Sequence, residues 1–173
     1  MPRKSVRPNK NFFQTAREEA GLTREKASEA IGYMSESVIE KIEYDQVMPD
    51  PQEVMDMAKA YRRPELINYY CSNMCAIGRQ YMPEVKTTGL SQIVLHILAS
   101  MNALEKEKDR LVEITVDGTI SGDELKDFVR ICNMVNQISM AADAMNLWIE
   151  QSIAAGSVNR EELEAVSEEL KQG

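Results

Sequence analysis

Apolar residues in the first 70 positions recur at helical spacing, in short groups that end at a glycine or just before a proline. The first group contains Phe12, Phe13 and Ala16 and stops at Gly21, a residue type that often follows the last turn of a helix. Four more groups follow, with apolar stripes formed by Ala27, Ala30 and Ile31, by Val38, Ile39 and Ile42, by Val54, Met57, Ala58 and Tyr61, and by Leu66, Ile67 and Tyr70. The pattern predicts five short helices packed into a compact α-domain.

Hydroxyl and carboxylate residues stand where three of these helices are expected to begin. Thr23 precedes the second helix, and Ser35 or Ser37 can cap the third. Asp50 and Glu53 flank the start of the fourth helix at the two positions of a capping box. Side chains at these positions accept hydrogen bonds from amides that have no partner inside the helix, so they fix where each helix starts.

After residue 89 the pattern changes to two long stretches in which apolar residues alternate at spacings of three and four. The stretches are Leu90–Leu111 and Leu125–Ile149, and the segment VDGTISG, with its two glycines, separates them. Two long helices joined by a short turn form an antiparallel hairpin. We therefore expect an all-α chain with two domains, residues 1–84 and residues 85–173.

Each long helix also carries apolar residues outside its main stripe, and two helices alone cannot bury stripes that wide. These extra residues are Ile93, Leu98, Met134, Met140 and Trp148. The first domain, the segment after Asn159 and a second copy of the chain are the candidates to cover them. The terminal segment offers only Leu163, Val166 and Leu170. A homodimer formed through the hairpin is therefore the expected arrangement.

Composition and charge narrow the classes of function. Apolar residues make up 43% of the 173 residues, yet no apolar stretch reaches the about 20 residues that a membrane span needs. The N-terminus lacks the apolar core of a signal peptide, so we expect a soluble cytoplasmic protein whose three cysteines are thiols.

The net charge of −8 is unevenly distributed. Residues 1–84 carry 12 Lys and Arg against 13 Asp and Glu, and residues 85–173 carry 8 against 15. A basic surface for nucleic acid must therefore be local. The strongest local candidate is the N-terminal arm, which has no acidic residue and contains Arg3, Lys4, Arg7 and Lys10.

The segment from Gly21 to Glu43 predicts two short helices joined by a tight turn at Gly32. That layout is a helix-turn-helix, whose second helix can enter the major groove of DNA. The segment resembles the phage-repressor family of the Cro/cI (XRE) type over roughly residues 9–70. The resemblance is carried by Gly21, Leu22, Thr23 and Glu25, then by Gly32, Ser35, Ile39, Ile42 and Glu43, and by Asp50 and Pro51 at the fourth helix.

The resemblance implies a five-helix lambda-repressor-like fold and a sequence-specific transcriptional regulator that binds double-stranded DNA. It also implies which side chains meet the duplex. Base edges or phosphates would be contacted by Arg24, Ser35, Glu36, Ser37 and Glu40, the backbone by Lys41, and a minor groove by the arm of Arg3, Lys4 and Arg7.

Three features depart from the family pattern. Arg24 replaces the usual glutamine, and Tyr33 and Met34 occupy a turn that normally holds one apolar residue. Glu36 and Glu40 place two carboxylates on the expected DNA face, where they oppose the release of counterions that drives most DNA affinity. The alternative function is therefore a protein-binding adaptor on a helix-turn-helix scaffold with weak or no DNA binding.

Other motifs give weaker indications. The loop from Glu113 to Glu124 approaches the calcium-loop template, but its first and third positions lack the usual ligands, and a helix end followed by a capping box explains it. Cys71 and Cys75 lie one helical turn apart, with too few further ligands for zinc. With one histidine and no nucleophile or phosphate-loop motif, we expect no enzyme activity, no metal and no cofactor.

Overall fold

The computed structural model describes residues 9–172, which form ten helices and no strand. The predicted all-α fold, with five short N-terminal helices and a long C-terminal helical hairpin, is confirmed. The helices are α1 Phe12–Glu19, α2 Arg24–Ile31, α3 Glu36–Glu43, α4 Pro51–Tyr61, α5 Glu65–Asn73, α6 Gly78–Tyr81, α7 Leu90–Lys106, α8 Lys108–Thr115, α9 Leu125–Ala154 and α10 Arg160–Gln172.

The chain divides into two compact units. The first contains the described residues up to Glu84 together with the chain from Ile149 onward, and the second contains Val85–Trp148. The end of α9 joins the first unit through contacts such as the hydrogen bond from Gln151 Nε2 to Glu65 Oε2, at 3.1 Å. Residues 149–172 thus group with the N-terminal helices, whereas the apolar pattern alone placed them with the hairpin.

The first unit is built around the apolar stripes that define its short helices. Its core contains Phe13, Ala16, Ala27, Met34, Ile39, Ile42, Val54, Met57, Ala58, Tyr61, Leu66 and Tyr70. The caps lie at the expected positions: Thr23 accepts from the Lys26 amide, and Asp50 and Glu53 form a complete capping box. Each cap starts a helix in the phase that turns its stripe inward.

The short helix α6 packs very closely on α5. A Cβ atom at Gly78 would lie 2.0 Å from the backbone oxygen of Cys71, so only glycine fits there. Cys71 and Cys75 are half-buried against the same core as free thiols. Burial and the neighbouring Cys75 both raise the pKa of the Cys71 thiol, which disfavours a reactive thiolate.

The second unit is the antiparallel hairpin of α7, α8 and the first part of α9. Arg110 pairs with Asp127 at 2.9 Å, and Arg130 pairs with Glu107, which fixes the register of the two arms near the turn. Helix α7 does not run on to Leu111 as the apolar pattern predicts. The chain tightens for one turn, where the Glu107 amide donates to Leu104 O, and it restarts as α8.

Few side chains of the hairpin are buried. The buried apolar residues are Ile93, Ile114, Ile131 and Ala141. Many others face outward, with Leu95 64%, Leu98 52% and Met101 53% exposed. The turn around Gly118 has the helix-end and capping contacts that the sequence suggests: the Ser121 amide donates to Glu124 Oε2 at 3.0 Å, and Gly118 has a φ of 74°.

Candidate nucleic-acid interface

Helices α2 and α3 form a helix-turn-helix whose ends are set by local hydrogen bonds. The amide of Gly32 donates to Ser28 O, and its φ of 88° turns the chain out of α2. Ser35 then caps α3 by accepting from the Val38 amide, which selects it over Ser37 as the cap. Ala27 is fully buried in the core formed by these helices, so its small side chain allows close packing.

The extra residue of the turn is accommodated by sending Tyr33 outward. Met34 is only 2% exposed and fills the apolar position of the turn. Tyr33 is 62% exposed, and its hydroxyl donates to Asp56 Oδ2 on α4 at 2.9 Å. The insertion therefore leaves the core intact and ties the turn to α4.

Helix α3 has one buried and one exposed face. Ile39, Ile42 and Glu43 are buried against the first unit. The exposed face carries Glu36, Ser37 and Lys41, with Glu40 partly covered. Residues four positions apart are neighbours on a helix, so Glu36 lies beside Glu40 and Ser37 beside Lys41, and the two pairs form one exposed surface.

A network of ion pairs links α1, α2 and α3. Arg17 donates to both oxygens of the buried Glu43 carboxylate, from Nε at 2.5 Å and from Nη2 at 3.0 Å. Arg24 bridges the same carboxylate at 2.9 Å and Glu40 at 2.8 Å, and its guanidinium lies 5.2 Å from the centre of the Tyr44 ring. Arg24 is thus anchored by two carboxylates and one aromatic ring.

The charge of Arg24 is strongly favoured at this position. Partial burial alone would lower the pKa of its guanidinium, but hydrogen bonds to Tyr44 and Glu43 and the charges of Glu43 and Glu40 raise the pKa above its usual value. Arg24 therefore stays protonated and neutralises Glu40. Of the two carboxylates expected to face DNA, only Glu36 makes no ion pair within the described residues.

The structure brings some of the predicted site residues together and leaves others apart. Arg24 and Glu40 contact each other, Ser35 is used as a helix cap, and Glu36, Ser37 and Lys41 share the exposed face of α3. The predicted arm residues Arg3, Lys4 and Arg7 lie outside the described residues. Lys10, at the end of that arm, pairs with Glu18 at 2.6 Å.

Sequence reasoning missed the buried pair of Arg17 and Glu43, on which α3 rests. The signal was present, because Arg17 follows Phe13 and Ala16 on the apolar side of α1, where a charge needs a partner. Tyr61 belongs to the same region: burial, together with the charge of Glu43, raises the pKa of its phenol. Its hydroxyl is buried without a hydrogen-bond partner among the described residues.

Within residues 9–172, no group of three or more His, Cys, Asp or Glu side chains is arranged to hold a metal ion. His96 is exposed on α7, and Cys132 is half-buried in α9. In the calcium-like loop, Asp117 accepts from the Thr119 amide and Glu124 accepts from Ser121. None of the helices in the described part of the chain is long and apolar enough to cross a bilayer.

Comparison with known proteins gives one match. A family model described as "Helix-turn-helix" matches residues 13–67, which run from α1 into α5. No curated protein and no solved structure matches the chain. The matched range contains the ion-pair network and the exposed face of α3, and it stops before the hairpin.

Proposed function

Residues 13–67 are a helix-turn-helix domain of the Cro/cI-like XRE family, a DNA-binding regulatory family, and from this premise we propose that the protein is a sequence-specific transcriptional regulator. It binds double-stranded DNA as a homodimer, in the cytoplasm, and is not an enzyme. The observation that carries the proposal is α3, whose buried face is fixed to the core while its opposite face is free.

The ion-pair network supports DNA binding by an otherwise acidic helix. A free carboxylate on this face would repel phosphates, but the positive charge of Arg24 offsets that of Glu40. Glu36 lies in the first turn of α3, where the helix dipole stabilises an anion, and a carboxylate there can accept from a cytosine amine. We assign Glu36 and Ser37 to base edges and Lys41 to a phosphate.

Arg24 acts in this proposal as a positioning residue. Its guanidinium is held by Glu43 and Glu40, so it orients α3 against α2 in addition to any phosphate contact it makes. Its loss would release two carboxylates at once. Arg24→Ala is therefore expected to weaken binding to all sequences alike.

Homodimerisation through the hairpin follows from its exposed apolar surface and its distribution of charge. Residues 87–104 contain no Asp, Glu, Lys or Arg, and residues 131–149 contain only Asp143. The ion pairs of the hairpin are confined to the half nearer its turn. A helical pair with a single charged residue over these two segments is typical of one that is buried, and a second copy of the same half is the matching cover.

The proposal is tested by selecting bound sites from random duplex DNA with the full chain and measuring affinity by fluorescence anisotropy. A selected site is expected to bind at least tenfold more tightly than a scrambled one, with a strong loss of affinity as salt rises. Failure to enrich any sequence, with no salt-dependent binding, would contradict DNA binding and favour the protein-binding adaptor.

Two charge-removing variants then test the assignment of α3. Glu36→Gln should lower the affinity for the selected site about tenfold and the affinity for the scrambled site only slightly, because it removes a base contact. Glu40→Gln should change the two affinities equally, because its charge is already neutralised by Arg24. Glu161→Gln, an exposed glutamate of α10, is the control and should change neither.

A further inference from the structure

A groove in the first unit has the size and lining of a small-molecule site. Its volume is about 770 Å³, and it lies between α4, α5, the end of α9 and the start of α10. Cavities that hold small ligands range from about 300 to 1,000 Å³. The apolar part of the lining includes Met55, Ile67 and Ile153, of which Met55 is 53% and Ile67 is 41% exposed.

The charged part of the lining has an excess of one cation, because Lys59, Arg62 and Arg160 stand against Asp56 and Glu150. Glu150 pairs with Arg160 at 2.6 Å, and Asp56 accepts from the neutral Tyr33 hydroxyl, which leaves the Asp56 charge in place. Lys59 and Arg62 also line the groove, and neither makes an ion pair within the described residues. An anion that enters would therefore meet two cations without an ion-pair partner, in a lining whose charged side chains sum to one positive charge.

The backbone fixes where Arg62 stands. Arg62 ends α4 in the left-handed conformation, with φ 55° and ψ 44°, and its amide donates back to Ala58 and Lys59. Glycine or asparagine adopts this conformation at lower cost than arginine. Arg62 also lines an adjoining cavity of about 580 Å³, together with Ala154 and Ala155.

We propose that this groove binds an amphipathic carboxylic acid, a small molecule with one carboxylate and an apolar chain or ring. The carboxylate lies between Lys59 and Arg62, and the apolar part lies on Met55, Ile67 and Ile153. A neutral molecule of the same shape gains no charge-assisted hydrogen bond from Lys59 or Arg62, which are exposed and stay hydrated, and it binds more weakly. The inference does not depend on DNA binding.

Isothermal titration of the full chain with decanoate, below its micelle concentration, tests the site. Decanoate is expected to bind saturably with one molecule per chain, and decanol, the matched neutral molecule, at least tenfold more weakly. Acetate should show no saturable binding, because it lacks the apolar part. Equal affinities for decanoate and decanol, or for decanoate and acetate, would overturn the proposal.

Three variants locate the binding. Lys59→Gln and Arg62→Asn should each weaken decanoate binding by about tenfold, whereas Lys126→Gln, an exposed lysine of the hairpin, should leave it unchanged. Arg62→Asn suits the left-handed backbone, so its melting temperature without ligand should not fall. If the melting temperature of Arg62→Asn does fall, the binding measured with Lys59→Gln is used alone to test the site. Decanoate binding that survives both substitutions, or falls equally in Lys126→Gln, would place the ligand elsewhere.

Discussion

The two units bury their apolar residues very differently. Short helices in the first unit surround a core of 12 buried apolar side chains, whereas the described hairpin buries only four and leaves leucines such as Leu95 and Leu98 more than half exposed. The first unit buries its apolar helix faces within one chain. The hairpin has the longer helices and the smaller core, so helix length does not measure independent stability.

The ion pairs differ in the same way. Arg17 and Glu43 are 7% and 0% exposed, whereas Arg130 and Glu107 in the hairpin are 47% and 20% exposed. Removing one partner of a buried pair leaves an uncompensated charge in the core, and removing one partner of an exposed pair leaves a hydrated charge. Removing one partner of an ion pair is therefore expected to cost more stability in the first unit than in the hairpin.

The largest expected effect comes from Glu43. Glu43→Ala should lower the free energy of unfolding by about 3–5 kcal/mol, because Arg17 stays buried without its partner. The measurement is urea unfolding followed by far-ultraviolet circular dichroism. The matched hairpin variant, Glu107→Ala, should cost at most about 1 kcal/mol. Equal costs would contradict the contrast between the two units.

The next effect concerns two glycines. Gly78→Ala is expected to cost about 1–3 kcal/mol, because its methyl group collides with the backbone of Cys71. Gly122→Ala is the control, since no atom lies within 4 Å of the added carbon in the hairpin turn. Thermal unfolding of both variants measures the difference, and a neutral Gly78→Ala would show that α6 does not pack closely on α5.

A smaller effect tests what covers the hairpin. Leu98→Ala should weaken homodimerisation about tenfold, because each copy then buries less apolar surface in the interface. Sedimentation equilibrium over a range of concentrations gives the dissociation constant. Leu170→Ala on α10, where the side chain is 79% exposed, should leave that constant unchanged. A wild-type chain that stays monomeric would contradict the proposed homodimer.

The smallest effect lies in the core of the first unit. Tyr61→Phe should leave stability unchanged or raise it by about 1 kcal/mol, because it removes a buried hydroxyl that has no partner among the described residues. Tyr33→Phe, which loses an exposed hydrogen bond to Asp56, should be close to neutral. Differential scanning calorimetry measures the stability of both variants. A large loss of stability in Tyr61→Phe would reveal a hydrogen bond to the Tyr61 hydroxyl.

Local signals in the sequence predicted most of the fold. Thr23, Asp50 and Glu53 marked helix starts, and the stripe of Val38, Ile39 and Ile42 gave the buried face of α3. The interruption at Glu107 was not predictable from periodicity, because the apolar spacing continues across it. The end of α9 joins the first unit through long-range contacts that no local pattern records.

The candidate site was predicted as a set of positions and not as a network. The resemblance assigned Arg24 and Glu40 separately to DNA, although they pair with each other across 16 positions of sequence. A charge pattern along the chain cannot reveal such a pair, because it depends on how α2 packs against α3. The buried Glu43 joins the two helices for the same reason.

In the proposed complex with DNA, the bridge from Arg24 to Glu40 and Glu43 also limits how new binding specificity can evolve. On the exposed face of α3, Glu36, Ser37 and Lys41 are free to be exchanged one at a time. Glu40 pairs with Arg24 on the preceding helix, so the effect of a substitution at Glu40 depends on which residue stands at position 24. Three of the four positions can thus change independently, whereas a change at the fourth is coupled to Arg24.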